Sequence, residues 1–385
     1  MEKKLNMKIL HTIASLGAKS GGTSTCTYEL VKGLNEHQVK TSILTLDTKD
    51  KSDVLLGRES FIHSLENDAF SPYAFSVNFS KGLADFQDYD LYHTNGTWLH
   101  INHLSASEAR SNNKPYIISP HGMFYPQALQ IGAWKKKIFY NLIFKKDLEN
   151  ASCLHATCIQ EMNHLRALGL KNPIAVIPNP LSVPDYLKDI SRNKTTKKRF
   201  GFLGRLHPIK NIHLLLEAWA KLGELTENAE LCIIGKGEDA YEEFLKSEVK
   251  RLCIHNVTFE GFLTGKEKYE FIGTLTSLIL PSKSENFGMT VLEALLMGVP
   301  VIASKGTPWE DLEKFKCGWW VENDIETLAQ TLQRVLIISD EELTEMGNNG
   351  KKLVRDHYVV ETVVKKMTSL YKWILGKENK PDFVY

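Results

Sequence analysis

Short apolar runs alternate with amphipathic stretches along the first half of the chain. "MKILHTIASL", from Met7 to Leu16, has the pattern of a buried strand. "SGGTSTCTYELVKGLNEH" follows as a glycine turn and a helix, and "VKTSILTL" as the next strand. "YDLYHTNG", "KPYIISPHG", "ASCLHAT" and "NPIAVIPNP" repeat the strand pattern, with helical stretches between most of them. Such alternation needs crossover connections and parallel strands, so this half predicts a doubly wound α/β domain. Residues 47–86 show only weak periodicity and are read as irregular.

"PNPLSVPDYLKDISRNKTTKKR", from Pro178 to Arg199, is rich in proline, charge and polar residues, the composition of a linker. A second series follows. "RFGFLGRL" reads as a strand, "NIHLLLEAWAKLG" as an amphipathic helix and "AELCIIGKG" as a strand and turn. "NVTFEGFL", "LTSLILPS" and "VPVIAS" are further strands, and "ETVVKKMTSLYKWILGK" is a last helix. The pattern predicts a first domain over residues 1–180, a linker over 181–197 and a second domain over 198–363. A C-terminal helix from about residue 364 to 385 is expected to pack back on the first domain. Open parallel sheets bind ligands beyond the carboxyl ends of their strands, so two hinged domains predict a central interdomain cleft lined by those loops.

Composition narrows the class. The 385 residues suit two or three domains, and 43% hydrophobic with 24% charged residues is ordinary for a globular protein. A formal net charge of +1 argues against a bulk nucleic-acid binder. The six cysteines form no C-x-x-C pair and mostly lie in apolar runs, so reduced core residues are expected and a zinc site is not. The sequence shows no apolar run of about 18 residues and no signal-peptide core, which predicts a cytoplasmic chain. "AWKKKIFYNLIFKKDLE" puts Trp134, Ile138 and Phe139 near one helix face, with Leu142 and Ile143 a turn later and lysines 135–137, 145 and 146 around them. That pattern fits either a core-packed helix or peripheral contact of segment 134–146 with an anionic membrane at the inner face of the cytoplasmic membrane.

Candidate chemistry gathers in a few loops. In "SKSENFGMTVLEALLMG" a buried strand leads through a polar loop into a helix that stops at Gly298. Glu285 sits at the strand-to-helix turn and Glu293 well inside the helix, with seven residues between them. The helix N-terminus between them can receive phosphate on its unpaired amides, while a nearby carboxylate can accept sugar hydroxyls. "FLGRLHPIKN" places Arg205 at a strand end and Lys210 just before a helix, where fixed cations can stabilise a departing diphosphate. Gly21 and Gly22 follow the first strand and permit close backbone approach, with Thr23 or Ser24 as the helix cap. Gly235 and Gly237 in "IIGKGED" lack the third glycine of a dinucleotide loop and read as a turn that helps hold a nucleotide. "IISPHGMF" ends a strand at His121 and Gly122, and "YHTNGTWLH" offers His93, Asn95 and Trp98 at a similar position.

The second half resembles family 4 of the retaining, nucleotide-sugar-dependent glycosyltransferases. The resemblance rests on the E-x7-E spacing of Glu285 and Glu293, on "GVPVIAS" and "CGWWVEND", and on a "GR-L-xx-KG"-like element in which Asn211 replaces the usual glycine. It is strongest from about Phe200 to Asp324 and diffuse over the first half. It implies the GT-B architecture of two Rossmann-like domains, acceptors bound mainly by the first and donors by the second. By the same resemblance Glu285 contacts the donor sugar, Glu293 the ribose, Asn286, Phe287 and Gly288 offer amides, and Thr290 adds a hydroxyl. Gly21, Gly22, Gly235 and Phe262 complete the donor set, and His121, Arg205, Lys210 and Glu285 the catalytic one. His93, Asn95 and Trp98 fall on the acceptor side. The family expectation is a front-face, metal-independent transfer from a nucleotide sugar, UDP by default, to a glycan or lipid-linked glycan in cell-surface polysaccharide synthesis, capsule or lipopolysaccharide. The same residues leave open a nucleotide-sugar epimerase, a phosphorylase or a non-catalytic nucleotide-sugar-binding partner.

Overall fold

The computed structural model describes residues 7–48, 50, 53–71, 73–130, 132–190, 192 and 196–385. The chain divides into two compact units, Met1–Ser182 with Val360–Tyr385, and Val183–Val359. Residues 183–190 go with the second unit, where the ring of Tyr186 lies 6.2 Å from that of Tyr269.

The first unit is built on a seven-stranded parallel sheet: β1 (Lys8–Ser15), β2 (Lys40–Leu46), β3 (Ile62–Leu65), β4 (Leu91–Asn95), β5 (Tyr116–Ser119), β6 (Cys153–Ala156) and β7 (Ile174–Val176). Its order is β3-β2-β1-β4-β5-β6-β7. β4, β5 and β6 are buried along their whole length, as expected for strands covered on both faces. The weakly periodic stretch 47–86 is not wholly irregular. It holds edge strand β3, paired in parallel with β2, and a helix, Val77–Leu83. Ser76 caps that helix by accepting the Phe79 N–H, and Asp68 accepts the N–H groups of Val77 and Asn78.

One face of this sheet packs against helices Gly22–Glu36 and Val360–Ile374. Ile9, Leu91, Ile117, Cys153 and Ala175, one from each of five strands, form a staggered apolar row on this face and cluster with Val363, Val364, Met367 and Leu370. Gly33 lets the two helices meet, since a Cβ there would lie 2.3 Å from Val360. Residues Phe383 to Tyr385 run antiparallel along the open edge of β7, with Ile174 and Tyr385 exchanging N–H···O bonds of 3.0 and 2.9 Å. That covers a strand edge that would otherwise expose its backbone.

The second unit carries a six-stranded parallel sheet: β8 (Lys198–Leu203), β9 (Ala229–Ile234), β10 (Val257–Gly261), β11 (Ser277–Leu280), β12 (Val301–Ser304) and β13 (Gly318–Val321). Its order is β10-β9-β8-β11-β12-β13. Each sheet therefore reverses strand order once, between β1 and β4 in the first unit and between β8 and β11 in the second. The loops after those strands are where such sheets receive ligands.

Candidate active site

In the second unit the loops after β8 and β11 are stitched together. Lys283 N–H donates to Ile209 O at 2.8 Å, and Glu285 N–H donates to Gly306 O at 3.0 Å. Gly306 permits that approach, because a Cβ there would lie 2.4 Å from Ser282 O. The result is an ion pair between Lys210 and Glu285, each about one-sixth exposed. Ser282 Oγ is 3.5 Å from the same carboxylate. Gly288 then turns the chain at φ 82° into helix Met289–Leu296. A Cβ at Gly288 would press on the Leu280 side chain at 2.9 Å, so glycine is required both by conformation and by space. The first turn of this helix leaves amides without intrahelical acceptors.

Glu293, inside that helix, is not a solvated surface residue. Its carboxylate accepts from Lys268 Nζ at 2.7 Å, and its side chain is 13% exposed. Val291, Leu292, Ala294 and Leu295 bury the rest of the helix, which explains why an acidic residue sits in an apolar run. Arg205 lies exposed just after β8. Asn286 and Thr290 are half-buried, and Phe287 is buried with its carbonyl accepting the Trp309 indole N–H at 2.5 Å. Phe262 stands 71% exposed on the turn after β10, an aromatic face open to a planar ligand.

Gly235 and Gly237 have another role than offering amides. Gly235 N–H donates to Gly261 O, and Gly237 N–H to Glu242 Oε1. A Cβ at either would collide with backbone of the 204–206 loop, at 1.8 Å from Gly204 O and 2.0 Å from Leu206 O. They shape the loop that carries Arg205, with their own amides already bonded inside the fold.

In the first unit, Gly21 (φ 91°) precedes helix Gly22–Glu36 and acts as its N-terminal residue, in place of the expected Thr23 or Ser24 cap. Ser24 instead donates to Ser15 O at 2.8 Å. No neighbouring atom within 4 Å would meet a Cβ at Gly21 or Gly22, so nothing inside the fold forces the exposed glycine pair beyond the φ of Gly21. His121 and Gly122 follow β5 in left-handed backbone, at φ 51° and 76°. Their turn is held by Glu161, a buried carboxylate that accepts from Gly122 N–H at 2.5 Å and from the N–H and hydroxyl of Thr157 at 2.8 Å each. Burial raises the Glu161 carboxyl and lowers the partly exposed His121 imidazole to about 3, the latter aided by His155.

The remaining first-unit candidates are placed differently from expectation. His93 is fully buried with both ring nitrogens bonded, so it has no free group for an acceptor. Asn95 is also buried, and reaches His121 Nε2 at 3.3 Å through its Oδ1. Trp98 is half-buried, donates to Met123 O and packs on Phe124 and Phe144, which makes it chiefly part of an aromatic cluster. Lys268 and Glu161 were not legible in the sequence as partners of the candidate residues. Each acts through a contact with a distant segment and carries no local motif.

Segment 133–149 is helical, with a π-helical turn over Tyr140–Phe144. Trp134, Ile138 and Leu142 are exposed, at 68, 48 and 74%. Phe139 turns away to pack on Tyr73, and Lys136 turns inward to Ala128 O. The side chain of Lys135 lies outside the described residues. Among the described residues no helix is long and apolar enough to cross a membrane.

Residues 20–183 match the model for Glycosyltransferase Family 4, and residues 185–353 match that for Glycosyl transferases group 1. The chain belongs to the family 4-type glycosyltransferases, with the GT-B fold of two Rossmann-like domains. The O-antigen chain mannosyltransferase C of Escherichia coli is 22% identical over 97% of this chain and 100% of its own length. Among solved structures, sucrose-phosphate synthase from Thermosynechococcus elongatus superposes with a TM-score of 0.75 at 20% identity, over 97% of this chain and 100% of that one. Anabaena HepE in complex with UDP and glucose gives 0.72 at 19% identity, over 95% and 100%.

Proposed function

We propose that the chain is a retaining glycosyltransferase that moves a sugar from a nucleotide-diphosphate sugar, UDP-linked, to a hydroxyl of a glycan or lipid-linked glycan during assembly of a cell-surface polysaccharide. The observation that carries this reading is the stitched loop at the strand-order reversal of the second sheet. There Glu285 is paired with Lys210 ahead of a helix N-terminus, and Glu293 is held by Lys268 inside that helix. Glu285 would hold the sugar and Glu293 the ribose hydroxyls. The two carboxylates bind, and neither serves as a covalent nucleophile. The acceptor hydroxyl attacks the anomeric carbon on the face from which the diphosphate leaves. The glycosidic bond to phosphate breaks, the new C–O bond forms, and the hydroxyl proton passes to the departing phosphate oxygen. Arg205 and Lys210 stabilise the charge that grows there, without a metal in the step.

UDP is favoured because HepE was crystallised with UDP and glucose. A polysaccharide product is favoured because the full-length E. coli relative is an O-antigen chain mannosyltransferase. The exposed Trp134, Ile138 and Leu142 beside Lys137, Lys145 and Lys146 support peripheral contact with anionic lipid, where a lipid-linked acceptor would reside.

The test is a panel of nucleotide sugars scored for slow release of the nucleoside diphosphate, then an acceptor screen with the donor so found. A UDP-sugar is expected to be hydrolysed and its sugar transferred with the same anomeric configuration. Absence of both binding and hydrolysis for every nucleotide sugar defeats the reading, and an inverted product removes the retaining mechanism.

A further inference from the structure

The same face of the first sheet also carries a staggered polar row. His11 on β1 pairs with His93 on β4, Ser119 on β5 lies two residues beyond the partner of His93, and His155 on β6 follows; all are buried, with Tyr371 of helix Val360–Ile374 lying over His11 and His93. They are linked end to end. His121 Nε2 is 3.3 Å from Asn95 Oδ1, and Asn95 Nδ2 is 3.2 Å from His11 Nδ1. His11 Nε2 and His93 Nδ1 both meet the Tyr371 hydroxyl, at 2.8 and 2.9 Å. His93 Nε2 meets Ser119 Oγ at 2.5 Å, Ser119 Oγ meets His155 Nδ1 at 2.7 Å, and His155 Nε2 meets Ile177 O at 2.8 Å.

One end fixes the direction of every link. The Ile177 carbonyl can only accept, so His155 carries its proton on Nε2 and its Nδ1 accepts from Ser119. With one proton per imidazole, the remaining links then run one way. His93 donates to Ser119, Tyr371 to His93 and His11 to Tyr371. Asn95 Nδ2 therefore donates to His11 and its Oδ1 accepts from His121. The Asn95 amide nitrogen also faces the carbonyls of Thr12 and His93, at 3.4 Å each, contacts that agree with the orientation the chain imposes but are too long to set it alone. A second proton on any of the inner rings would set two donors face to face. Burial lowers His11 to about 3 and His155 to about 4, and holds His93 well below the usual imidazole range, which keeps the rings neutral.

We propose that this one-way chain, with Tyr371 as its central positioning residue, locks His121 as the neutral Nε2–H tautomer, so that its Nδ1 is a fixed acceptor for a hydroxyl of the sugar ligand. His121 then selects for a hydroxyl that donates, and does not deliver a proton during the reaction. The assignment of a sugar to His121 rests on the function proposed above, whereas the tautomer does not.

The ring nitrogens of ¹⁵N-histidine-labelled protein report the tautomer directly in long-range ¹H–¹⁵N spectra, with His121 assigned from the His121→Gln variant. In the wild type His121 is expected as Nε2–H, unchanged between about pH 5.5 and 8. Tyr371→Phe removes one acceptor and one donor, and Ser119→Ala does the same further along. In either folded variant His121 is expected to populate both tautomers. Turnover should fall roughly ten- to a hundredfold, with UDP affinity changed by less than about twofold. A wild-type His121 that protonates on Nδ1, or titrates in that range, overturns the proposal. So does a folded Tyr371→Phe or Ser119→Ala variant with a single tautomer and wild-type turnover. If the wild-type tautomer is as stated but no nucleotide sugar is used, the chain stands and the proposed function fails.

Discussion

Asn211 occupies a left-handed backbone position, φ 59° and ψ 33°, where the family resemblance implies glycine. Asparagine tolerates this conformation because its short side chain can bond locally, and here its Nδ2 donates to Asn323 Oδ1 at 3.0 Å. The departure therefore preserves the turn that aims Lys210 at Glu285. Replacing Asn211 by Gly should change unfolding free energy by less than about 1 kcal/mol, whereas Asn211→Val should cost about 2–4 kcal/mol through backbone strain and the lost bond. Denaturant titration separates the two. The charged residues predict a different split. Glu293→Ala should weaken UDP binding roughly ten- to a hundredfold by calorimetry, by removing charge-assisted bonds. Lys210→Ala should lower turnover by about two to three orders of magnitude, by removing a fixed cation from the leaving group. Unchanged UDP affinity in the first variant, or wild-type turnover in the second, removes that residue from its role.

Strands and their loops were legible because both faces of each sheet are covered, which writes a continuous apolar run into the sequence. "LTSLILPS" and "VPVIAS" show β11 and β12 directly. β3 was hidden because it is an edge strand whose His63 and Ser64 are exposed, and the short helix Val77–Leu83 adds little periodicity. Glu285 and Glu293 stood out by their spacing and by the family resemblance, but their partners Lys210 and Lys268 come from other elements. Only the first of these had a local signal. His93 was misread because a strand-end histidine looks alike whether it faces a ligand or a buried row of partners. That buried row predicts acid sensitivity. The imidazoles of His11 and His155 stay neutral in the folded protein to about 3 and 4, while the unfolded chain takes up protons below 6.5. The unfolded state thus binds more protons, and stability should fall as pH drops from about 6.5 toward those values. Each ring contributes a slope of at most about 1.4 kcal/mol per pH unit, measurable by denaturation at a series of pH values. On the surface, the Trp134–Ile138–Leu142 face predicts co-sedimentation with anionic vesicles that weakens with salt. Each exposed lysine is worth about 1 kcal/mol near such a surface. Equal binding to neutral vesicles, or unchanged binding after Lys137, Lys145 and Lys146 are replaced by Glu, argues against the contact.

The two units differ in how the chain assembles them. The second is one contiguous stretch, Val183–Val359, whereas the first needs both Met1–Ser182 and Val360–Tyr385. An isolated 183–359 fragment is expected to melt cooperatively and to bind UDP. A chain ending at residue 359 should retain that binding but lose the protection of its first unit against proteolysis. A fragment that neither folds nor binds would show that the second unit depends on the first. The helix over the apolar row also sets an order of events during synthesis. Ile9, Leu91 and Ile117 leave the ribosome long before Val363, Met367 and Leu370, which cover them. At 5–20 residues per second, the second unit that lies between the two pieces of the first, Val183–Val359, about 180 residues, takes roughly 10 to 35 seconds to make. For that interval one apolar face of the first sheet is covered only by helix Gly22–Glu36, while the second unit can already be complete. The half that begins first must finish last, and its exposed face is the natural place for a chaperone to wait.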